Sequence, residues 1–176
     1  MQRDTLPRVS CARNQFADAI HELETAVALN RNWVVAIAAL GHCKFLAGAL
    51  EESIPAQEQA IRLSPRDPRL ANWCWRIGMV HLLKSRPQEA VGWLQKALAA
   101  NPRLPGPHAW LAAAHGLAGD LERAAAGLAE ARRLSSDDRY SNIARFKAVV
   151  NFDANMLDLA EATFFAGLRL AGVPQE

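Results

Sequence analysis

LGHCKFLAGALEESIPAQEQAIRLSP (residues 40–65), IGMVHLLKSRPQEAVGWLQKALAANP (77–102) and LAAAHGLAGDLERAAAGLAEARRLSS (111–136) lie over one another without a gap. Each opens on a large residue followed by a small one: Leu40-Gly41, Ile77-Gly78 and Leu111-Ala112. Twelve residues after the small one stands another, Ser53, Ala90 or Ala124, and seven further on an alanine, Ala60, Ala97 or Ala131. Five residues beyond that alanine the helix is expected to stop, at Pro65, Pro102 and Ser136, because proline cannot continue a helix. A fourth copy of the second half, ADAIHELETAVALNR (17–31), carries Ala19 and Ala26 and stops at Arg31. The anchors step by 37 and then 34 residues, a period that belongs to a stacked array of helix pairs.

The pattern has a packing reason. Gly41, Gly78 and Ala112 are placed where the first helix of a pair, helix A, crosses its partner, helix B. Ala60, Ala97 and Ala131 are placed where helix B meets the next helix A. Small residues let helix axes approach to the short end of the usual range, about 8 Å, and Leu40, Ile77, Leu111, Leu94 and Leu128 fill the layers between. Gly48 and Gly119 fall in the turn between the helices, where a left-handed backbone favours glycine. The step of 37 rather than 34 lengthens the connection Ser64-Pro65-Arg66-Asp67-Pro68, and its prolines predict an extended run.

The chain is 176 residues long with 51% hydrophobic and 22% charged residues, which suits one packed domain or a short array and excludes a disordered chain. With Lys and Arg numbering 20 against 18 Asp and Glu, no concentrated basic surface for nucleic acid is expected. Cys11, Cys43 and Cys74 are 32 and 31 residues apart. An odd number without a CxxC pair points to neither a disulfide framework nor a zinc site, and a reducing cytoplasm is the simplest setting. The longest stretch without a charge, Leu104 to Gly119, is interrupted by prolines and histidines and is shorter than a membrane span. The N-terminus, MQRDTLPRVSCARNQ, lacks the apolar core of a signal peptide.

The three aligned segments resemble the tetratricopeptide repeat (TPR) family, matching it at most of its small and large positions. The resemblance implies an all-α, right-handed α-solenoid of about four and a half helix-turn-helix repeats in a single array. Its parts are helix B of an incomplete first repeat at 13–31, repeats at 33–65, 69–102 and 105–136, and a degenerate fifth repeat or cap at 139–171. In the last, Ala160, Phe164 and Gly167 keep the helix B spacing. Residues 1–12 are too short and polar to supply the first helix A. A solenoid end without its neighbour exposes an apolar face, here Phe16, Ile20 and Leu23, so the chain is expected to be a piece of a longer protein or to self-associate there.

The resemblance also implies a concave groove on the helix A side. In the second repeat it would be lined by Val35, Ala38, His42 and Phe45, and in the third by Asn72, Trp75, Arg76, Met79 and Leu82. In the fourth, Ala109 and Ala113 follow, with Gly106 and Gly116 flanking them. Such a groove suits an amphipathic or apolar partner segment. Of the five tryptophans, Trp73, Trp93 and Trp110 are expected in the core. A one-residue rotation of helix A would swap the face of Trp75 between groove and core. The Lys, Asn and Arg set of the chaperone-binding TPR subclass is not reproduced, since Asn72 and Arg76 have no polar counterparts in the neighbouring repeats. A carboxylate held by one arginine alone would be poorly compensated.

The five histidines contain no pair at i and i+4, as a metal site on one helix would want. No nucleophile-base-orienter set or phosphate-binding loop can be assembled. No catalysis, cofactor, metal, nucleic acid or membrane is expected of the segment. A narrower resemblance covers residues 30–83 and the ending LAEATFFAGLRLAGVP (159–174), which are similar to the C-terminal TPR regions of bacterial class III adenylate/guanylate cyclases. It implies a scaffold or regulatory tail that touches a missing N-terminal domain. A stand-alone adaptor and a self-associating module are the alternatives.

Overall fold

The structure, a computed structural model, describes residues 16–150, 152 and 154–176. Among them the regular structure is helical throughout: α1 (Phe16–Leu29), α2 (Val34–Leu46), α3 (Leu50–Leu63), α4 (Leu70–Leu83), α5 (Pro87–Ala100), α6 (Pro105–Leu117), α7 (Leu121–Leu134) and α8 (Ile143–Val149). The last helix runs as α9 (Ala154–Ala160), a π-helical turn (Glu161–Phe165) and α10 (Ala166–Leu170). The four helix B segments end at Leu29, Leu63, Ala100 and Leu134, each two residues before the stop expected from the repeat. Where the stop is proline, the residue before it is pushed out of helical geometry, as the extended Asn101 shows. Two compact units, residues 1–76 and 77–176, are distinguished, with the division inside α4.

In the first unit α1, α2 and α3 pack in sequence. One core cluster joins Ala19 and Leu23 of α1 to Ala36, Leu40 and Cys43 of α2. A second joins Ile37 and Ala38 of α2, Ala60 of α3 and Trp73 of α4. The small residues lie where the repeat requires them: a Cβ on Gly41 would press on the Gln57 side chain and the Ser53 carbonyl of α3. Gln57 itself is fully buried and donates from Nε2 to the Ala38 carbonyl at 3.2 Å. Lys44 of α2 bridges Glu24 of α1 at 3.0 Å and Glu52 of α3 at 3.6 Å. The long connection before α4 is not extended. It folds into two turns, with Asp67 N–H donating to the Ser64 carbonyl and Leu70 N–H to the Asp67 carbonyl. The Asp67 carboxylate accepts from the Arg69 backbone and guanidinium, which hold it below the usual carboxylate range. Cys43 is disulfide-bonded, whereas Cys74 is a buried thiol; Cys11 lies outside the described residues. The expectation of a chain without a disulfide is thereby corrected, because separation along the chain does not report distance across a fold.

In the second unit α5, α6 and α7 continue the pattern. A Cβ on Gly78 would press on Leu94, and Pro87 and Pro105 open α5 and α6, where the missing N–H costs nothing. Asp120 caps α7 by accepting from Arg123 N–H. The turn between helix A and helix B takes a positive φ in every complete repeat: 77° at Gly48, 80° at Gly119 and 57° at Ser85. Ser85 is the aligned residue of the third repeat, and as an L-residue it bears the left-handed penalty. Ser85→Gly should therefore stabilise the protein by about 1 kcal/mol. Calorimetry would show this as a thermal midpoint raised by a few degrees; an unchanged or lowered midpoint would contradict it.

The C-terminal segment packs back onto α6. Phe164 stacks on Trp110 with ring centroids 4.1 Å apart, and Phe146 of α8 meets Phe164 at 5.0 Å and Phe165 at 5.8 Å. The chain end then ties down α8, whose first orphan donors reach it: Ile143 N–H to the Pro174 carbonyl at 2.9 Å and Ala144 N–H to the Gln175 carbonyl at 3.2 Å. Lys147, and then Arg169, hold the Glu161 carboxylate below its ordinary range. A carboxylate depressed in the folded state stabilises above its unfolded pKa and loses that contribution as pH falls through the folded value. The stability difference between the native chain and Glu161→Gln, followed by urea unfolding, should therefore be present near about pH 5 and close toward about pH 3. A difference independent of pH would show that the ion pair contributes nothing.

Candidate functional site

Trp73 fixes the rotation of α4. It is 2% exposed and packs with Ile37, Ala38 and Ala60. A helix turns by about 100° per residue, so Trp75 lies about 200° around α4, away from that cluster. There Trp75 is half-buried, with Asn72 and Arg76 half-buried beside it. Spacings of three and four residues put all three on one face. On α2, Val35 and His42 are also half-buried.

The remaining first-unit positions expected in the groove are core. Ala38 and Phe45 are 7% and 3% exposed, Ala38 because it stands between α2, α3 and α4. The bare end face expected on α1 is corrected too. Leu23 is fully buried against Ala36, Leu40 and Cys43, with Ile20 packed on the same cluster, so α2 covers them; Phe16 is half-buried.

The polar chemistry of the α4 face is unusual. The Trp75 indole Nε1 is buried and has no hydrogen-bond acceptor. Burial alone pushes the Arg76 guanidinium down to about 10, and no ion pair or hydrogen bond to it is present among the described residues. Acids elsewhere in the first unit are engaged: Asp67 by Arg69, Glu24 and Glu52 by Lys44, and Glu58 by Arg62 at 4.0 Å. An indole N–H, a guanidinium fork and the Asn72 amide thus offer donors on one helical turn. Asn72, Trp75 and Arg76 were all legible as candidates in the sequence. The orphaned state of the indole was not, because it depends on what the fold leaves unpaired.

In the second unit the expected groove positions Met79, Leu82, Ala109 and Ala113 are 9%, 0%, 0% and 0% exposed. They are corrected from lining residues to core. For Ala113 the cause is specific: a Cβ on Gly167 of α10 would overlap the Ala113 backbone, and one on Gly116 would overlap the Gly167 carbonyl. The C-terminal helix therefore lies on the α6 face that carries Ala113 and Gly116. Trp110 is core as expected, at 2% exposed. Trp93 is half-buried under the Lys96 ammonium, 4.0 Å from its ring centroid.

Among the described residues no three His, Cys, Asp or Glu side chains are grouped to hold a metal ion, and no helix is long and apolar enough to cross a membrane. Arg132, placed by its sequence at a helix C-terminus, also donates from Nε to the Tyr140 carbonyl at 3.0 Å, so it positions the loop before α8.

No family model matches the chain. Over 90 residues it is 33% identical to the cell division cycle protein 27 homolog of Caenorhabditis elegans, a match covering 51% of this chain and 11% of that protein. The chain thus spans about a tenth of the length of this curated relative. The crystal structure of MamA is similar over 97% of this chain and 96% of its own, with a TM-score of 0.70 and 17% identity. A MamA fragment from Desulfovibrio magneticus RS-1 matches over 94% of this chain and 90% of its own, at a TM-score of 0.69 and 16% identity. A thermophilic TPR protein of Thermus thermophilus matches over 93% of this chain and 78% of its own, at a TM-score of 0.62 and 21% identity. The fold is accordingly all-α and of the TPR type.

Proposed function

We propose that the chain is a non-catalytic protein–protein interaction module. It takes a partner segment along the first-unit surface formed by Val35 and His42 of α2 and Asn72, Trp75 and Arg76 of α4. The observation that carries this is the burial of Trp73, which turns Trp75 out of the core and leaves a large aromatic half-open beside α2. Aromatic and arginine side chains on a rigid helical surface are the groups that dominate binding energy at interfaces. The TPR-type fold supports the same reading, because stacked helix pairs present extended binding surfaces.

The test is a peptide selected from a displayed library on the immobilised chain. His42→Ala with Trp75→Ala should weaken that peptide by about tenfold or more, with the helical circular dichroism melt retained. Binding that survives the double change would place the peptide elsewhere and end this reading.

A second reading concerns the parent protein. The likeness of residues 30–83 and 159–174 to cyclase TPR regions supports a place in the C-terminal part of a larger bacterial cyclase, where the module would act as a scaffold. It rests on that sequence likeness alone. DNA upstream of Met1 should then run in frame into a nucleotide cyclase domain, and an in-frame stop there would eliminate it.

A further inference from the structure

The α4 face holds three kinds of donor and no matching acceptor. The Trp75 Nε1 is buried without a partner, and Arg76 has none among the described residues. Leaving a buried donor unmade costs free energy that an arriving acceptor would restore. An apolar partner segment cannot supply that acceptor. A carboxylate can, because its two oxygens accept from a guanidinium fork and still have lone pairs for an indole N–H and an amide. The first-unit acids named above are held by their own cations.

We infer that Asn72, Trp75 and Arg76 form a subsite for one acidic side chain, Asp or Glu, within an otherwise apolar partner segment. This rests on the interaction-module reading. It adds what that reading does not contain, a charge requirement on the partner. Arg76 supplies the opposing charge and Trp75 the N–H. Asn72, one turn earlier, supplies an amide that closes the site on the N-terminal side. The partner's carboxylate replaces water around Arg76, so the subsite discriminates Glu from Gln and Asp from Asn.

The experiment follows the tryptophan indole N–H signals of the full chain by 1H–15N NMR, with the Trp75 signal assigned from its loss in Trp75→Phe. Sodium acetate and sodium chloride are titrated separately at matched ionic strength and neutral pH. The expected result is a saturable shift of the Trp75 signal with acetate, absent with chloride and abolished in Arg76→Met. Equal response to both salts, a saturating response that survives Arg76→Met, or no acetate-specific shift overturns the inference. Arg76→Met is informative only as a folded chain, and Arg76→Lys provides a second variant that keeps the charge and removes the planar fork. Its acetate response should be weaker than the parent's, and a response equal to the parent's counts against the fork.

The library-selected peptide separates this inference from the reading beneath it. Changing its Asp or Glu residues to Asn or Gln should weaken binding by about tenfold or more. If amidation is harmless while His42→Ala with Trp75→Ala still destroys binding, the carboxylate subsite fails and the interaction surface stands. If neither change matters, both fail.

Discussion

Gly167→Ala should release the C-terminal helix from α6. The added Cβ would overlap the carbonyl oxygen, carbonyl carbon and Cα of Ala113, which are backbone atoms of a helix and cannot turn aside as the tip of a flexible side chain can. Overpacking a well-filled core costs about 1–3 kcal/mol and occasionally more. Because the obstruction is backbone, we expect about 3 kcal/mol here. The loss should be local at first. Hydrogen exchange would show Ala166–Leu170 losing protection, and the fluorescence of Trp110 would change as Phe164 leaves its ring. Full protection of those amides with an unchanged thermal midpoint would show that the crossing is looser than the two glycines require.

Trp73→Ala should cost about 3–5 kcal/mol, measured by denaturant unfolding, whereas Trp75→Phe should lie within about 0.5 kcal/mol of the parent. Trp73 fills the junction of α2, α3 and α4 at 2% exposure, so its truncation opens a cavity bordered by Ile37, Ala38 and Ala60. Trp75 has one side open, and its replacement by Phe also removes an indole N–H that has no acceptor. Comparable costs at the two positions would mean that α4 is rotated from the orientation described, and the interaction surface would then be misassigned.

The contrast between these tryptophans marks how far sequence carries. The repeat located Gly41 and Gly78 at helix crossings and the ends of four helices to within two residues, because both follow from local rules of close approach and helix termination. It named Asn72, Trp75 and Arg76 but also Ala38, Phe45, Met79, Leu82, Ala109 and Ala113, which the structure buries. A face assigned by family position does not say what else comes to lie on it. Ala113 is covered by a helix more than fifty residues later in the chain, and nothing in its own repeat signals this. Ser85 was missed for a related reason: glycine advertises a left-handed turn, whereas a serine doing the same task is visible only once the backbone is seen. The π-helical turn at Glu161–Phe165 likewise left no mark in the spacing of Ala160, Phe164 and Gly167.

The hydrogen bonds from Ile143 and Ala144 to the carbonyls of Pro174 and Gln175 bear on how the protein should be handled. These two residues serve as the missing turn ahead of α8, so a purification tag joined directly after Glu176 would pull on a helix start more than thirty positions upstream. A truncation before Pro174 would leave those two amides without acceptors. Tags and surface-immobilisation handles belong at the other end of the chain, and a recombinant version trimmed at its C-terminus should be compared with the full sequence before its stability or binding is taken as that of the protein.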